Sequence, residues 1–134
     1  MHSFHLEPRM LSFLGGFYPK GHCFLMFRDE VTARRAEQLI EQAGVDCTDV
    51  SLLTPADVLE LARTFDGYDV ALPSMGTDGE TTRHFAELAR AGHHALLVPA
   101  RNQDACRRVT EALHDAGVTY AVHYRNFVIE DLAV

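Results

Sequence analysis

Ala33-Arg34-Arg35-Ala36-Glu37-Gln38-Leu39-Ile40-Glu41-Gln42-Ala43-Gly44-Val45 and Cys106-Arg107-Arg108-Val109-Thr110-Glu111-Ala112-Leu113-His114-Asp115-Ala116-Gly117-Val118 are one segment written twice. Apolar residues recur at Ala33, Ala36, Leu39, Ile40 and Ala43 in the first copy, and at Cys106, Val109, Ala112, Leu113 and Ala116 in the second. Spacing by three and four lays a single buried face along a helix. Both copies close on glycine, Gly44 and Gly117, which takes the left-handed conformation at a helix end without steric cost. Asp29 and Asn102 stand at equivalent positions before the helices, where a short acceptor side chain caps the first free N–H groups.

The repeat extends upstream. His22-Cys23-Phe24-Leu25-Met26-Phe27 lines up with His94-Ala95-Leu96-Leu97-Val98-Pro99 once the second copy is allowed one extra residue. Cys23 to Phe27 and His94 to Val98 are strand-length and apolar throughout, so both faces of each strand are expected to be covered. Strand two is expected at Asp49 to Leu53. Strand four, Thr119 to Arg125, alternates: Tyr120, Val122 and Tyr124 point one way, Ala121, His123 and Arg125 the other. Two βαβ repeats in tandem predict an α+β, ferredoxin-like βαββαβ sandwich with strands one and three as a parallel central pair.

Residues 1–134 read as a single domain with two additions. Residues 1–21 look irregular, punctuated by Gly15-Gly16 and Pro19-Lys20-Gly21, with Phe13, Phe17 and Tyr18 packing the segment down. Residues 55–92 form a helical insertion between strands two and three. Thr54 caps its first helix, with Pro55 at N1 and Asp57 near the positive end of the dipole. Val58, Leu59, Leu61, Ala62 and Phe65 give that helix an apolar side, and Asp66-Gly67 stops it. Tyr68 to Leu72 reads as extended up to Pro73. Thr77-x-x-Glu80 suggests a capping box opening a second helix that buries Phe85, Leu88 and Ala89. Either this insertion or a second copy of the chain must cover the free sheet face, so a homodimer through the sheet or the insertion is expected.

Composition narrows the function classes. Hydrophobic residues make up 47% and charged residues 23%, the balance of a folded domain. The formal charge is −7, and the basic residues are eleven arginines and one lysine. Nucleic acid is therefore not the expected partner, because phosphate neutralisation needs a basic face. No apolar run reaches transmembrane length, and Met1-His2-Ser3-Phe4-His5 lacks the pattern of a signal peptide, so a cytoplasmic location is expected. The three cysteines, Cys23, Cys47 and Cys106, have no CxxC spacing and read as buried reduced thiols. No structural metal, disulfide framework or cofactor is implied, and no catalytic residue is assigned.

Three features carry candidate chemistry. His22 and His94 sit at equivalent strand starts, His93 adjoins them, and His123 lies on strand four beside strand one. With the central strands parallel, His22, His93 and His94 are expected as neighbours, and a polar pocket is expected to draw on His22, His94, His123, Tyr124 and Thr77. Neutral imidazoles there would serve as hydrogen-bonding or metal-ligand groups; isolated polar residues where strands emerge into water are the plainer alternative. Gly76-Thr77-Asp78-Gly79 has the look of an anion loop at a helix N-terminus, but Asp78 and Glu80 oppose an anion there. Arg34-Arg35 and Arg107-Arg108 read as solvated faces, with Arg34 pairing Glu37 and Arg107 pairing Glu111.

Tyr18-Pro19-Lys20-Gly21-His22, Ser74-Met75-Gly76-Thr77, Ala91-Gly92-His93-His94-Ala95-Leu96-Leu97-Val98 and Val128-Ile129-Glu130-Asp131-Leu132 resemble a family of uncharacterised small bacterial α/β proteins related to the heat-induced general stress proteins. The resemblance implies a ferredoxin-like core and a part in a stress response. It also raises RNA binding, because that core is similar to RNA-recognition folds. The aromatic strand motif of those folds is missing here. The expectation is a domain that binds a small molecule or protein, with an RNA-binding module and a small metal-dependent or acid–base enzyme using the histidines as alternatives.

Overall fold

The computed structural model describes residues 1–5, 19–65, 77–125 and 129–134, with only the backbone of residues 64, 65 and 77–80. In chain order the elements are β1 (His2–Ser3), β2 (His22–Phe27), α1 (Glu30–Gln42), β3 (Ser51–Leu53), α2 (Pro55–Phe65), α3 (Thr77–Arg90), β4 (His94–Pro99), α4 (Gln103–Ala112), β5 (Val118–Tyr124) and β6 (Ile129–Asp131). The fold is α+β. The described strands form a single mixed sheet in the order β1-β3-β4-β2-β5-β6.

The repeat produces the strand–helix–strand units β2-α1-β3 and β4-α4-β5. Asp29 accepts from the Thr32 N–H at 2.8 Å and Asn102 from the Ala105 N–H at 2.8 Å, so both helices start on the expected caps. Their ends differ. α1 runs to Gln42 with Gly44 at φ +90°, whereas α4 stops at Ala112, one turn short of the aligned end. Asp115 at φ 67° and Gly117 at φ +84° then turn the chain into β5. A side chain at Gly117 would also crowd Thr32, whose Cγ2 lies 3.3 Å from the position of an added Cβ.

The central strands are adjacent, as the repeat predicts, but antiparallel. β2 pairs antiparallel with β4 from His22↔Pro99 to Phe27↔His94, and antiparallel with β5 on its other side. β3 pairs antiparallel with β4. Within each repeat the two strands are therefore parallel to one another with one strand position between them. The geometry explains the gap: a helix about 10 Å across covers roughly two strand spacings of about 4.8 Å. Each crossover leaves a slot, and the opposite repeat fills it running the other way.

Both sheet faces are covered within the chain. Cys23, Leu25, Phe27, Leu96, Val98 and Ala121 pack against Ala33, Ala36 and Ile40 of α1 and Cys106 and Val109 of α4. Phe24, Met26, Ala95, Leu97, Val122 and Tyr124 pack against Val58 and Leu61 of α2 and Phe85 and Ala89 of α3. The alternation expected for strand four is observed. Phe24 and Phe85 stack with ring centroids 4.0 Å apart. The insertion is what covers the second face. Thr54 and Asp57 cap α2 reciprocally, with the Thr54 N–H donating to Asp57 Oδ2 at 2.9 Å and the Asp57 N–H to Thr54 Oγ1 at 3.2 Å.

Several expectations change. The segment 1–21 is not irregular throughout: β1 pairs parallel with β3, His2 opposite Ser51. The chain also forms a further strand: β6 pairs antiparallel with β5, His123 opposite Glu130. Leu39 is only half-buried and Ala43, the C-cap of α1, is exposed, whereas Ile40 in the same last turn is fully buried. Arg34 pairs with Glu30 at 3.0 Å and Arg107 with Asp104 at 3.6 Å, each choosing the acid in the preceding turn. The packing of Phe13, Phe17 and Tyr18, the turns at Gly15-Gly16 and Asp66-Gly67, the extended reading of Tyr68 to Leu72 and the side chains of the Thr77–Glu80 box lie outside the described residues.

Candidate functional site

Antiparallel pairing separates the histidines expected to converge. His22 faces Pro99 and His94 faces Phe27, so the two imidazoles stand at opposite ends of the β2–β4 pair. Five residues of strand put them about 17 Å apart. His94 has Nδ1 3.3 Å from the Gly92 carbonyl and Nε2 3.9 Å from Glu30 Oε1. His93 at that end has Nδ1 2.9 Å from Thr119 Oγ1. At the other end His22 is buried, with Nδ1 3.0 Å from the Lys20 carbonyl, and pairs across the sheet with Tyr124. His22 and Tyr124 lie on the α2/α3 face, and His123 lies on the α1/α4 face, because successive strand residues alternate. Thr77 is the first residue of α3, and its side chain is outside the described residues.

The structure assembles a different group around His123. Cys23 on β2 is directly across from His123 on β5, and both point at α4, where Cys106 lies on the buried stripe. Cys23, Cys106 and His123 are all buried, and each offers a metal-ligand atom within 4.8 Å of the others. The Cys23 thiol donates to Cys106 Sγ over 3.6 Å. His123 is 2% exposed, so bulk water does not reach its ring. Nε2 lies 2.7 Å from the Ala100 carbonyl, which can only accept, so that nitrogen carries the proton. In the neutral ring Nδ1 then keeps its lone pair, and it has no hydrogen-bond partner among the described residues.

Charge around the group is mixed. Glu130 on β6 brings Oε1 to 3.9 Å from His123 Nδ1, and its Oε2 lies 3.8 Å from Arg125. The hydrogen bond to Cys106 holds the Cys23 proton and, with burial, pushes that thiol well above its ordinary range. The same bond, accepted by Cys106, pulls the Cys106 thiol down. Cys47 is separate: burial pushes its thiol up to about 11, with Glu37 and Glu41 adding to the shift.

Cys106 also meets solvent space. An open groove of about 290 Å³ runs between α4 and β6, lined by Gln103, Cys106, Arg107 and Thr110 on one side and Glu130 and Asp131 on the other. Cys106 forms the link between the groove and the buried Cys23 and His123. Comparisons of the chain with protein-family models, with curated proteins and with solved structures give no match.

Cys23, Cys106 and Glu130 were not singled out from the sequence as a group. The two cysteines belong to different repeats, and Glu130 lies in a segment to which the sequence pattern assigns no strand. One signal was present: Cys23 and His123 both occupy inward positions on strands expected to be neighbours. The third member depended on which helix covers that point of the sheet.

Proposed function

We propose that this chain is a ligand-binding domain whose binding position is the α4–β6 groove, with Cys106 at its floor and Cys23 and His123 behind it. The observation that carries the reading is His123: a buried imidazole whose Nδ1 has no hydrogen-bond partner among the described residues, set beside two thiols at the base of an open groove. Burying an unpaired polar nitrogen costs about 1–3 kcal/mol, which a bound ligand would offset. Fragment screening by ¹H–¹⁵N NMR on the labelled chain tests it. Shifts concentrated on residues 103–110 and 129–133 support the groove; fragments that bind only elsewhere, or not at all, would reject it.

The proposal includes a ferredoxin-like classification, supported by the antiparallel order β3-β4-β2-β5 and the two interleaved strand–helix–strand units. It includes a cytoplasmic location, supported by three free cysteines, since reduced thiols suit a reducing compartment. A part in a stress response rests on the resemblance alone. RNA binding is the less favoured alternative, because α2 and α3 occupy the sheet face on which RNA-recognition folds stack bases. That same coverage removes the need for a second copy over the sheet, so a homodimer would use the outer surface of the insertion. An enzyme built on the strand-start histidines loses support from the separation of His22 and His94.

A further inference from the structure

We infer that Cys23, Cys106 and His123 bind a zinc-type divalent cation, with Glu130 closing the fourth position from the groove. The inference deepens the groove reading, on which it rests, by naming the ligand class. Geometry is the first argument. Tetrahedral zinc with bonds of about 2.3 Å to sulfur sets two thiolates roughly 3.8 Å apart. The Cys23 and Cys106 sulfurs are 3.6 Å apart, far longer than a disulfide bond and close to that edge.

The imidazole is the second argument. A ligating histidine normally donates its other N–H to a carbonyl or carboxylate, which holds the ring and fixes the tautomer. His123 Nε2 already has the Ala100 carbonyl at 2.7 Å, and Nδ1, which a neutral ring leaves as a donor atom for a metal, has no hydrogen-bond partner among the described residues. The ring is held as a ligand before any ion arrives.

Charge is the third. Two thiolates, a neutral imidazole and a divalent ion sum to zero, which a buried corner tolerates; a monovalent ion would leave an uncompensated negative charge. Glu130 adds a negative charge on the solvent side, where Arg125 stands 3.8 Å from it. Binding forms two metal–sulfur bonds, one metal–nitrogen bond and one metal–oxygen bond to Glu130, and the two thiol protons and the ion's displaced water molecules leave to solvent through the groove. Thiolate and imidazole donors select a zinc-like ion over magnesium or calcium, which take oxygen ligands.

Cobalt(II) titration of the reduced, metal-stripped chain, made without a histidine tag, tests this. The expected result is one Co²⁺ per chain, with the intense visible bands of tetrahedral cobalt and a sulfur-to-metal charge-transfer band, both removed by Zn²⁺. Cys47→Ser should keep the spectrum, whereas Cys106→Ser and His123→Gln should weaken binding at least about ten-fold. Because those two variants could unfold the corner, the unmodified chain supplies a second readout: Zn²⁺ should protect Cys23 and Cys106, and not Cys47, from alkylation. An octahedral or absent cobalt spectrum overturns the inference, as does an unchanged spectrum in Cys106→Ser or equal protection of all three cysteines. A silent cobalt titration alongside fragment shifts on residues 103–110 and 129–133 would remove the metal and keep the groove. Loss of both would remove both readings.

Discussion

Cys23 and Cys106 are 83 positions apart in the chain, and their sulfur atoms are 3.6 Å apart. They come from different repeats, Cys23 from the strand of the first and Cys106 from the helix of the second. Interleaving of the repeats brings them together, because β2 is inserted between β4 and β5, beneath the helix that connects those strands. The hydrogen bond from the Cys23 thiol to Cys106 follows from that single placement.

The three thiols should differ in reactivity. Limited iodoacetamide treatment of the native, metal-stripped chain near neutral pH should modify Cys106 first, since it borders the groove. Cys47, pushed up to about 11, holds almost no thiolate there, and Cys23 lies behind Cys106. Peptide mapping by mass spectrometry reads the order. Cys47 reacting ahead of Cys106 would contradict the assigned environments.

Leu113 is fully buried in the core on the α1/α4 face. Leu113→Ala should destabilise the fold by about 2–5 kcal/mol, the cost of losing a large core side chain and leaving a cavity. His114→Ala, one position along and exposed, should stay within about 0.5 kcal/mol. Urea denaturation midpoints check both.

Phe85 tests the coverage of the second sheet face. It is 2% exposed and stacks on Phe24. Phe85→Ala should cost about 3–5 kcal/mol and loosen α3 from the sheet. Calorimetry and dye binding to newly exposed apolar surface measure this; a variant as stable as the parent would mean that α3 contributes nothing to the core.

Acid should weaken the cap of α1. The carboxylate of Asp29 is held below its ordinary value by its hydrogen bonds from Thr32. A depressed folded-state value means its stabilisation is present above the unfolded value, near 3.9, and is lost as the pH falls through the folded one. Asp29→Asn keeps an acceptor at the cap, as Asn102 does for α4, and removes the charge. The stability difference between parent and Asp29→Asn, measured from about pH 6 down to about pH 2, should shrink toward zero in acid. A difference that stays constant would show that the charge of Asp29 plays no part.

Much of the architecture was legible in the sequence by itself. The doubled apolar stripe, Asp29 and Asn102, Thr54 and the two all-apolar strands specify local structure through interactions within a few residues, so periodicity and capping chemistry reveal them. They also require that both faces of the central strands be covered. Strand direction is a different matter. Whether β2 and β4 run together or opposed depends on how two helices about 10 Å wide share a sheet of strands about 4.8 Å apart, and no local pattern records it. That one choice sends His22 and His94 to opposite ends and brings Cys23, Cys106 and His123 to one corner. β6 was hidden for a related reason: Ile129-Glu130-Asp131 has no strand pattern of its own and is held by its pairing with β5. The sequence determined which segments fold and which faces they bury; only the tertiary structure decided which buried side chains meet, because those meetings span 83 residues of chain and depend on sheet order.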